Sequence, residues 1–248
     1  MASDPLRGTW LARQLYPAQV RIFARLRSTN EYTASQLEAG ALAGPALIVA
    51  SQQTAGRGQH ANRWWSDAGS ICATFVFPVD PHIPVGQIPL RAGLAMARVV
   101  ARLLAGATVQ VKWPNDVFVN GRKIAGLLCA RMRACDMIGI GINVRTDLRR
   151  APGEVQLRAT SLAQHIKQPP RRDELIRDVW FALQASRQCD DWMDRYQDIH
   201  LLQSKRVRVE SSDGIVAGIC RGIDREGRLR VEEEGSMRAI TGGVVSLA

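Results

Sequence analysis

The chain has 248 residues, is 46% hydrophobic and 23% charged, and carries a net charge of +10. This is the composition of a folded globular protein, with chain enough for one large core or a core plus a small module. The positive excess falls in short clusters (Arg145, Arg149 and Arg150; Arg171 and Arg172) with no basic helix interleaved with aromatics, which favours an anionic ligand and an acidic partner over specific nucleic acid.

In chain order, residues 9–27 carry apolar positions at Trp10, Leu11, Leu15, Ile22, Phe23 and Leu26. That spacing predicts a helix, kinked or split at Pro17. Ser28-Thr29-Asn30 reads as the cap of a helix ending near Gly40. Ala46 to Ser51 is a short apolar run that predicts a buried strand. The glycine-rich, polar stretch from Gly56 to Gly69 predicts a loop, and Ile71 to Phe77 the next strand. A proline-rich connection leads to an amphipathic helix over Leu90–Leu104.

Val109 to Trp113 predicts a strand, followed by the turn Pro114-Asn115-Asp116. Val117-Phe118-Val119 then runs into Asn120-Gly121, a strong hairpin signal. Strands are expected to return over Lys123–Leu128 and again over Met137–Val144, before a helix over Asp173–Trp192. The pattern changes near Leu202. Short alternating strands and turns, including Asp213-Gly214, fill the remainder. We therefore expect an α+β fold of two units: residues 1–202 as a mixed sheet flanked by helices, and residues 203–248 as a small β-barrel.

Five cysteines, with no C-x-x-C pair, fit reduced thiols in the cytoplasm. The four histidines are scattered and suggest no zinc site. No apolar run approaches the roughly 20 residues of a membrane span, and the N-terminus lacks a signal-peptide core.

Two segments carry chemistry. Gly56-Arg57-Gly58-Gln59-His60-Ala61 fits the loose pattern G-x-G-x-x-A. A dinucleotide fingerprint must open a helix, however, and here a polar loop and then a strand follow. What remains is a loop whose glycines let backbone N–H groups approach an anion, with Arg57 and Arg63 offering forked donors. A surface loop without a ligand satisfies the local physics equally well.

The second segment joins Val111-Lys112-Trp113-Pro114-Asn115-Asp116 to Gly121-Arg122-Lys123-Ile124-Ala125-Gly126. A hairpin there places Lys112 and Lys123 near each other on adjacent strands. Lysines are rarely buried in sheets unless paired, so two beside a carboxylate suggest an anion site. Solvated lysines on an exposed face are the other reading. Paired positive charge would offset the repulsion between a carboxylate and the ATP phosphate it attacks. Asp116 would orient an acceptor amine and help take up its proton.

With these segments in hand, the chain resembles the biotin protein ligases. The resemblance runs in order through Ser28-Thr29-Asn30, Gln53-Thr54-Ala55-Gly56-Arg57-Gly58, the Lys112–Asp116 and Gly121–Gly126 runs, and Gly139-Ile140-Gly141-Ile142-Asn143-Val144. It continues in the small module through Gly222–Gly227 and Gly242–Leu247, and so covers nearly the whole chain from Ser28. The resemblance implies a core similar to that of class II aminoacyl-tRNA synthetases. It implies ATP and Mg2+ as cofactors, with metal ligands unassigned, and activation of biotin to biotinyl-5'-adenylate. Transfer to a lysine of a biotin carboxyl carrier protein domain would follow.

By the same resemblance, Ser28, Thr29, Asn30, Gln53, Gly56, Arg57, Gly58, Gln59, Lys123 and Gly126 would bind biotin. Arg57, Arg63, Trp64, Lys112, Asn115, Lys123 and Asn143 would bind ATP, and Lys123, Lys112, Arg57 and Asp116 would carry catalysis. A homodimer is implied, while specific nucleic acid and membrane are not expected. Only 27 residues precede Ser28, which leads us to expect no operator binding.

The chain departs from the family pattern at Gln59, where a second loop arginine is usual, at Ala61, where a glycine is usual, and at Cys129-Ala130. Gln59 keeps a hydrogen-bond donor but loses the charge, so we expect weaker retention of the adenylate. A lipoate ligase of shared fold should lack the Lys112–Asp116 run. A non-catalytic biotin-binding protein should lack Lys123 or Asp116.

Overall fold

The computed structural model describes residues 4–59 and 62–248; His60 and Ala61 of the glycine-rich segment lie outside them. Seven strands form one mixed sheet: β1 (Gln19–Leu26), β2 (Ala46–Gln53), β3 (Ser70–Pro78), β4 (Val109–Lys112), β5 (Asp116–Val119), β6 (Arg122–Met132) and β7 (Cys135–Asn143). They lie in the order β1-β2-β3-β7-β6-β5-β4. β1 runs parallel to β2, and the other neighbours are antiparallel. The helices are α1 (Gly8–Gln14), α2 (Thr29–Glu38), α3 (Ile88–Leu103), α4 (Gly153–Arg158), α5 (Arg172–Arg187) and α6 (Trp192–Asp198).

Strand alternation sorts the side chains to two faces. On β2, Leu47 and Val49 join the large core with buried residues of α3 and α5, whereas Ala46 and Ile48 join a smaller cluster with Leu37 of α2. β7 divides the same way: Ile138, Ile140 and Ile142 face the large core, and Cys135 and Met137 the smaller one. The α2 face is thinly covered, and the functional cleft opens on it.

Five further strands follow: β8 (Arg206–Ser211), β9 (Gly214–Ile223), β10 (Leu229–Glu233), β11 (Ser236–Ile240) and β12 (Val244–Leu247). They form an antiparallel sheet in the order β11-β10-β9-β8-β12. Its strands do not close into a ring, so the expected barrel is an open sheet. Its buried Val207, Val209, Leu229 and Val231 belong to the large core. The Trp113 indole donates to the Gly227 carbonyl at 3.0 Å, and the backbone of Val111 pairs with Ile199 and Leu201.

Three expectations need correction. Residues 9–27 are not one helical unit: α1 stops at Gln14, and Gln19–Leu26 is strand β1. β1 is a sheet edge with most side chains half-buried on both faces, so it lacks the two-residue alternation that marks a strand. The helix expected over 173–192 ends at Arg187, and a separate helix begins at Trp192. Lys112 and Lys123 are not on adjacent strands, because β5 lies between β4 and β6.

Candidate functional site

A cleft opens over the middle of the large sheet on the α2 side. Its floor is built by register. Cys72 pairs with Gly141, Gly141 with Gly126, Gly126 with Asp116, and Asp116 with Lys112. Partners across a sheet share a face, so this row crosses five strands on one side. The two glycines leave the centre of the row bare, and Trp64 fills that space. A Cβ at Gly141 would run into the Trp64 indole, and one at Gly126 would come within 3.1 Å of it.

Lys123 reaches this floor through an irregularity. It lies three residues before Gly126, so in a regular strand it would point to the opposite face. A β-bulge shifts the β5–β6 register between Val117 and Phe118, and Lys123 then pairs with Phe118, on the same face as Asp116. Ile124 and Ala125 are consecutive and both wholly buried in the large core, as the bulge requires. The Lys123 Nζ lies 2.6 Å from an Asp116 carboxylate oxygen and 5.7 Å from the Trp64 ring centre. Lys112 stands at the end of the row. Burial lowers its pKa, Asp116 opposes that shift, and the neighbouring positive charges of Lys123 and Arg158 add to it.

At the other end of the cleft stands the start of α2. Ser28 caps the helix, accepting from the Glu31 N–H at 3.4 Å. The Thr29 backbone N–H and hydroxyl both donate to the Gln53 Oε1, at 2.7 and 3.1 Å. The carboxamide is thereby oriented, and its NH₂ is turned toward Gly56, where a Cβ would stand 2.8 Å from it. Buried Ser28 and Thr29, with Gln53, thus present a small set of fixed polar groups, suited to the polar head of a small ligand.

Asn30 is engaged at both ends. It donates to the Leu128 carbonyl at 2.9 Å and accepts from the Thr74 hydroxyl at 2.6 Å. Gly139 leaves the space for this brace, since a Cβ there would collide with the Asn30 carboxamide. Asn115 braces the turn before β5 by hydrogen-bonding both the carbonyl and the N–H of Leu127.

The loop closes the cleft from above. Arg57 and Arg63 form a short antiparallel bridge, and the Gly58 N–H donates to the Asn62 carbonyl at 2.7 Å. Both arginines are exposed. The Arg57 guanidinium reaches Glu31 at 2.7 Å.

The structure therefore gathers Ser28, Thr29, Asn30, Gln53, Arg57, Gly58, Gln59, Arg63, Trp64, Lys112, Asn115, Asp116, Lys123 and Gly126 around one cleft. Two expected residues lie outside its lining. Gly56 is buried behind the loop, where a side chain would strike Gln53 and the Trp64 backbone. Asn143 is 3% exposed, and its amide donates to the Thr160 carbonyl at 3.0 Å.

Sequence reading also missed contributors. Gly139 and Gly141 form the floor, and the alternation Gly-Ile-Gly-Ile is the signal that one face of β7 is bare. Thr74 and Glu31 act on Asn30 and Arg57 with no local signature. Gly243, Val244 and Val245 of the second sheet also line the cleft.

Among the described residues, no group of three or more His, Cys, Asp or Glu is placed to hold a metal. Asp116 is the one carboxylate among the lining residues.

Comparison with known proteins gives the family. The biotin/lipoate A/B protein ligase family matches residues 22–147, and the biotin protein ligase C-terminal domain matches residues 205–248. A biotin–[acetyl-CoA-carboxylase] ligase of Mycobacterium tuberculosis is 34% identical over 240 residues, covering 92% of this chain and 88% of that protein. The bifunctional ligase/repressor BirA of Escherichia coli is 28% identical over 254 residues, covering 98% of this chain and 78% of that protein. The biotin protein ligase of Aquifex aeolicus, solved with biotin and ATP, superposes with a TM-score of 0.80 at 22% identity. That match covers 93% of this chain and 99% of the other, and shows the same fold. The chain belongs to the biotin/lipoate A/B protein ligase family and, within it, groups with the biotin protein ligases.

Proposed function

We propose that this chain activates biotin with ATP and transfers it to a lysine of a biotin carboxyl carrier protein domain. The observation that carries this reading is the bulge that turns Lys123 onto the glycine floor, opposite the polar groups of Ser28, Thr29 and Gln53. A biotin head held by those groups would direct its carboxylate toward Lys123. A carboxylate oxygen attacks the α-phosphorus, the bond to the β-phosphate oxygen breaks, and pyrophosphate leaves. The Lys123 and Lys112 ammonium groups and the Arg57 guanidinium offset the charge that gathers there. In the second step the acceptor amine attacks the acyl carbon and AMP leaves. Asp116, beside the site of attack, orients the incoming ammonium and helps accept its proton.

The donor set fits magnesium that arrives on ATP. This ion keeps waters and substrate oxygens and needs only one or two protein carboxylates, and Asp116 is the group placed to serve. When bound, it would neutralise phosphate charge.

Residues 1–202 make the catalytic unit, and 203–248 contribute the Gly243–Val245 edge to the cleft. We place the enzyme in the cytoplasm, where ATP is available and where its five free cysteines stay reduced. No helix among the described residues is long and apolar enough to cross a membrane. A homodimer is the assembly we expect from the family, to be checked by light scattering.

The test is exchange of labelled pyrophosphate into ATP with magnesium, run with biotin and in parallel with lipoate. Exchange with biotin alone, abolished in Lys123→Ala, is the expected result. Exchange with lipoate, or with neither acid in folded protein, would overturn the proposal.

A further inference from the structure

Ser28-x-x-Glu31 has the spacing of a capping box, in which the glutamate side chain returns to the N-cap backbone. Only half of the box is formed. Glu31 donates its own N–H to Ser28, but its carboxylate turns away, to Arg57 at 2.7 Å and Arg27 at 3.7 Å. Arg57 belongs to the loop over the cleft and Glu31 to the first turn of the helix that carries Ser28 and Thr29. This ion pair joins the two, and it sits at a helix N-terminus, where an acidic side chain is favoured.

The loop is otherwise anchored at its root. Thr54 and Ala55 donate backbone hydrogen bonds to Leu26 and Arg27, and Trp64 rests on the glycine floor. Between those anchors, Gly58 donates to the Asn62 carbonyl and Trp64 to the Gly56 carbonyl, which sets Arg57 and Arg63 opposite each other in a short antiparallel bridge. Glu31–Arg57 is the one ion pair between this loop and the body of the protein among the described residues.

We propose that Glu31 is a positioning residue that holds Arg57 against the start of α2. The guanidinium that meets the ligand's anionic end is thereby set relative to the groups that hold its polar head. The idea rests on the ligase reading for its kinetic consequence, but not for the anchoring itself. Glu31 touches no reacting atom and acts through Arg57 alone.

The experiment pairs Glu31→Gln with Arg57→Ala and the double variant. Glutamine can still close the capping box, so the helix is preserved, and thermal melting checks it. In free protein, trypsin should cut after Arg57 or Arg63 faster in Glu31→Gln than in the parent chain. In pyrophosphate exchange, Glu31→Gln should raise KM for ATP or biotin about two- to five-fold, as expected for a half-exposed ion pair, with kcat little changed. Glu31→Asp should recover part of that loss.

The KM effect should disappear when Arg57 is already alanine. A Glu31→Gln effect of equal size in both backgrounds would overturn the proposal, as would unchanged loop cleavage. If the parent chain shows no exchange at all, the ligase reading fails while the cleavage measurement still decides whether Glu31 anchors the loop.

Discussion

The two walls of the cleft are held by different physics. The floor and the α2 wall are fixed by partly buried hydrogen bonds and strand register: Thr74 to Asn30 to Leu128, Thr29 to Gln53, and the row from Cys72 to Lys112. The loop wall carries Arg57 and Arg63 on exposed side chains, tied to the body by one half-exposed ion pair. Buried groups lose a full desolvation penalty when a partner is removed, whereas exposed pairs contribute about 1 kcal/mol or less. On the proposed reading, one wall is preorganised for a constant neutral head group, and the other is free to follow charge as it develops and leaves. The contrast can be broken at each wall separately, and the expected costs differ in size.

The largest effect belongs to Lys123, where the floor supplies charge. Lys123→Ala should reduce adenylation by about 10²–10³-fold, the usual loss for a preorganised group facing developing charge. Removal of the bulge's consequence rather than the bulge itself keeps the fold, so thermal stability should change little. A kcat within ten-fold of the parent chain in pyrophosphate exchange would show that Arg57 and Lys112 suffice.

The floor's far end leans on the second sheet, and this makes it sensitive to acid. His200 is buried beside β4, and neither ring nitrogen has a hydrogen-bond partner among the described residues. Burial, assisted by Lys205, pushes its pKa down to about 4. A free histidine titrates near 6.5, so as pH falls the unfolded chain binds the proton first. The stability due to His200 is complete above about pH 6.5 and is lost progressively down to about 4, by roughly 3 kcal/mol in all. His200→Gln should melt with a shallower pH dependence across that window. Parallel curves for the two proteins would remove His200 from the account.

A smaller cost is expected at Thr74. It is wholly buried and donates to Asn30. Thr74→Val keeps the shape but removes the donor to the half-buried Asn30 oxygen, for about 1 kcal/mol of stability. Because Asn30 lies in the first turn of α2, KM for biotin should rise while the response to ATP stays constant. Equal changes in both would mean that the brace supports the whole cleft rather than one wall.

Legibility in the sequence follows the same division. Ser28 as a cap, Asn120-Gly121 as a turn and the strand carrying Lys112 are local signals, and they stand in the structure as read. Most of the residues that the resemblance names position by position are brought around one cleft. The floor was not legible. That Gly139 makes room for Asn30, and that Lys123 faces Asp116, depends on which strands become neighbours and on a one-residue slip between β5 and β6. β1 resists a sequence reading because Ile22, Phe23 and Leu26 imitate helical spacing in a strand that is half-buried on both faces. The contribution of Gly243–Val245 depends on how the second sheet docks, which no local pattern encodes.

The smallest effect tests the loop wall by adding charge rather than removing it. Gln59 lines the cleft between Arg57 and Arg63 in the chain, and on the proposed reading an uncharged donor there would hold an anionic intermediate with less force than a second arginine. Gln59→Arg should slow escape of pre-formed adenylate, measured as label retained after dilution into unlabelled biotin, by up to about five-fold. KM for biotin should stay fixed, since the head group is held by the other wall. Arg63 is the internal control, because it already offers positive charge across the same short bridge. In Arg63→Ala the Gln59→Arg gain should be larger, if the two positions serve the same phosphate. An escape rate that ignores Gln59→Arg in both backgrounds would mean that the loop's hold on the intermediate comes from Arg57 and its backbone N–H groups alone, and the two walls would then differ less than their exposure suggests.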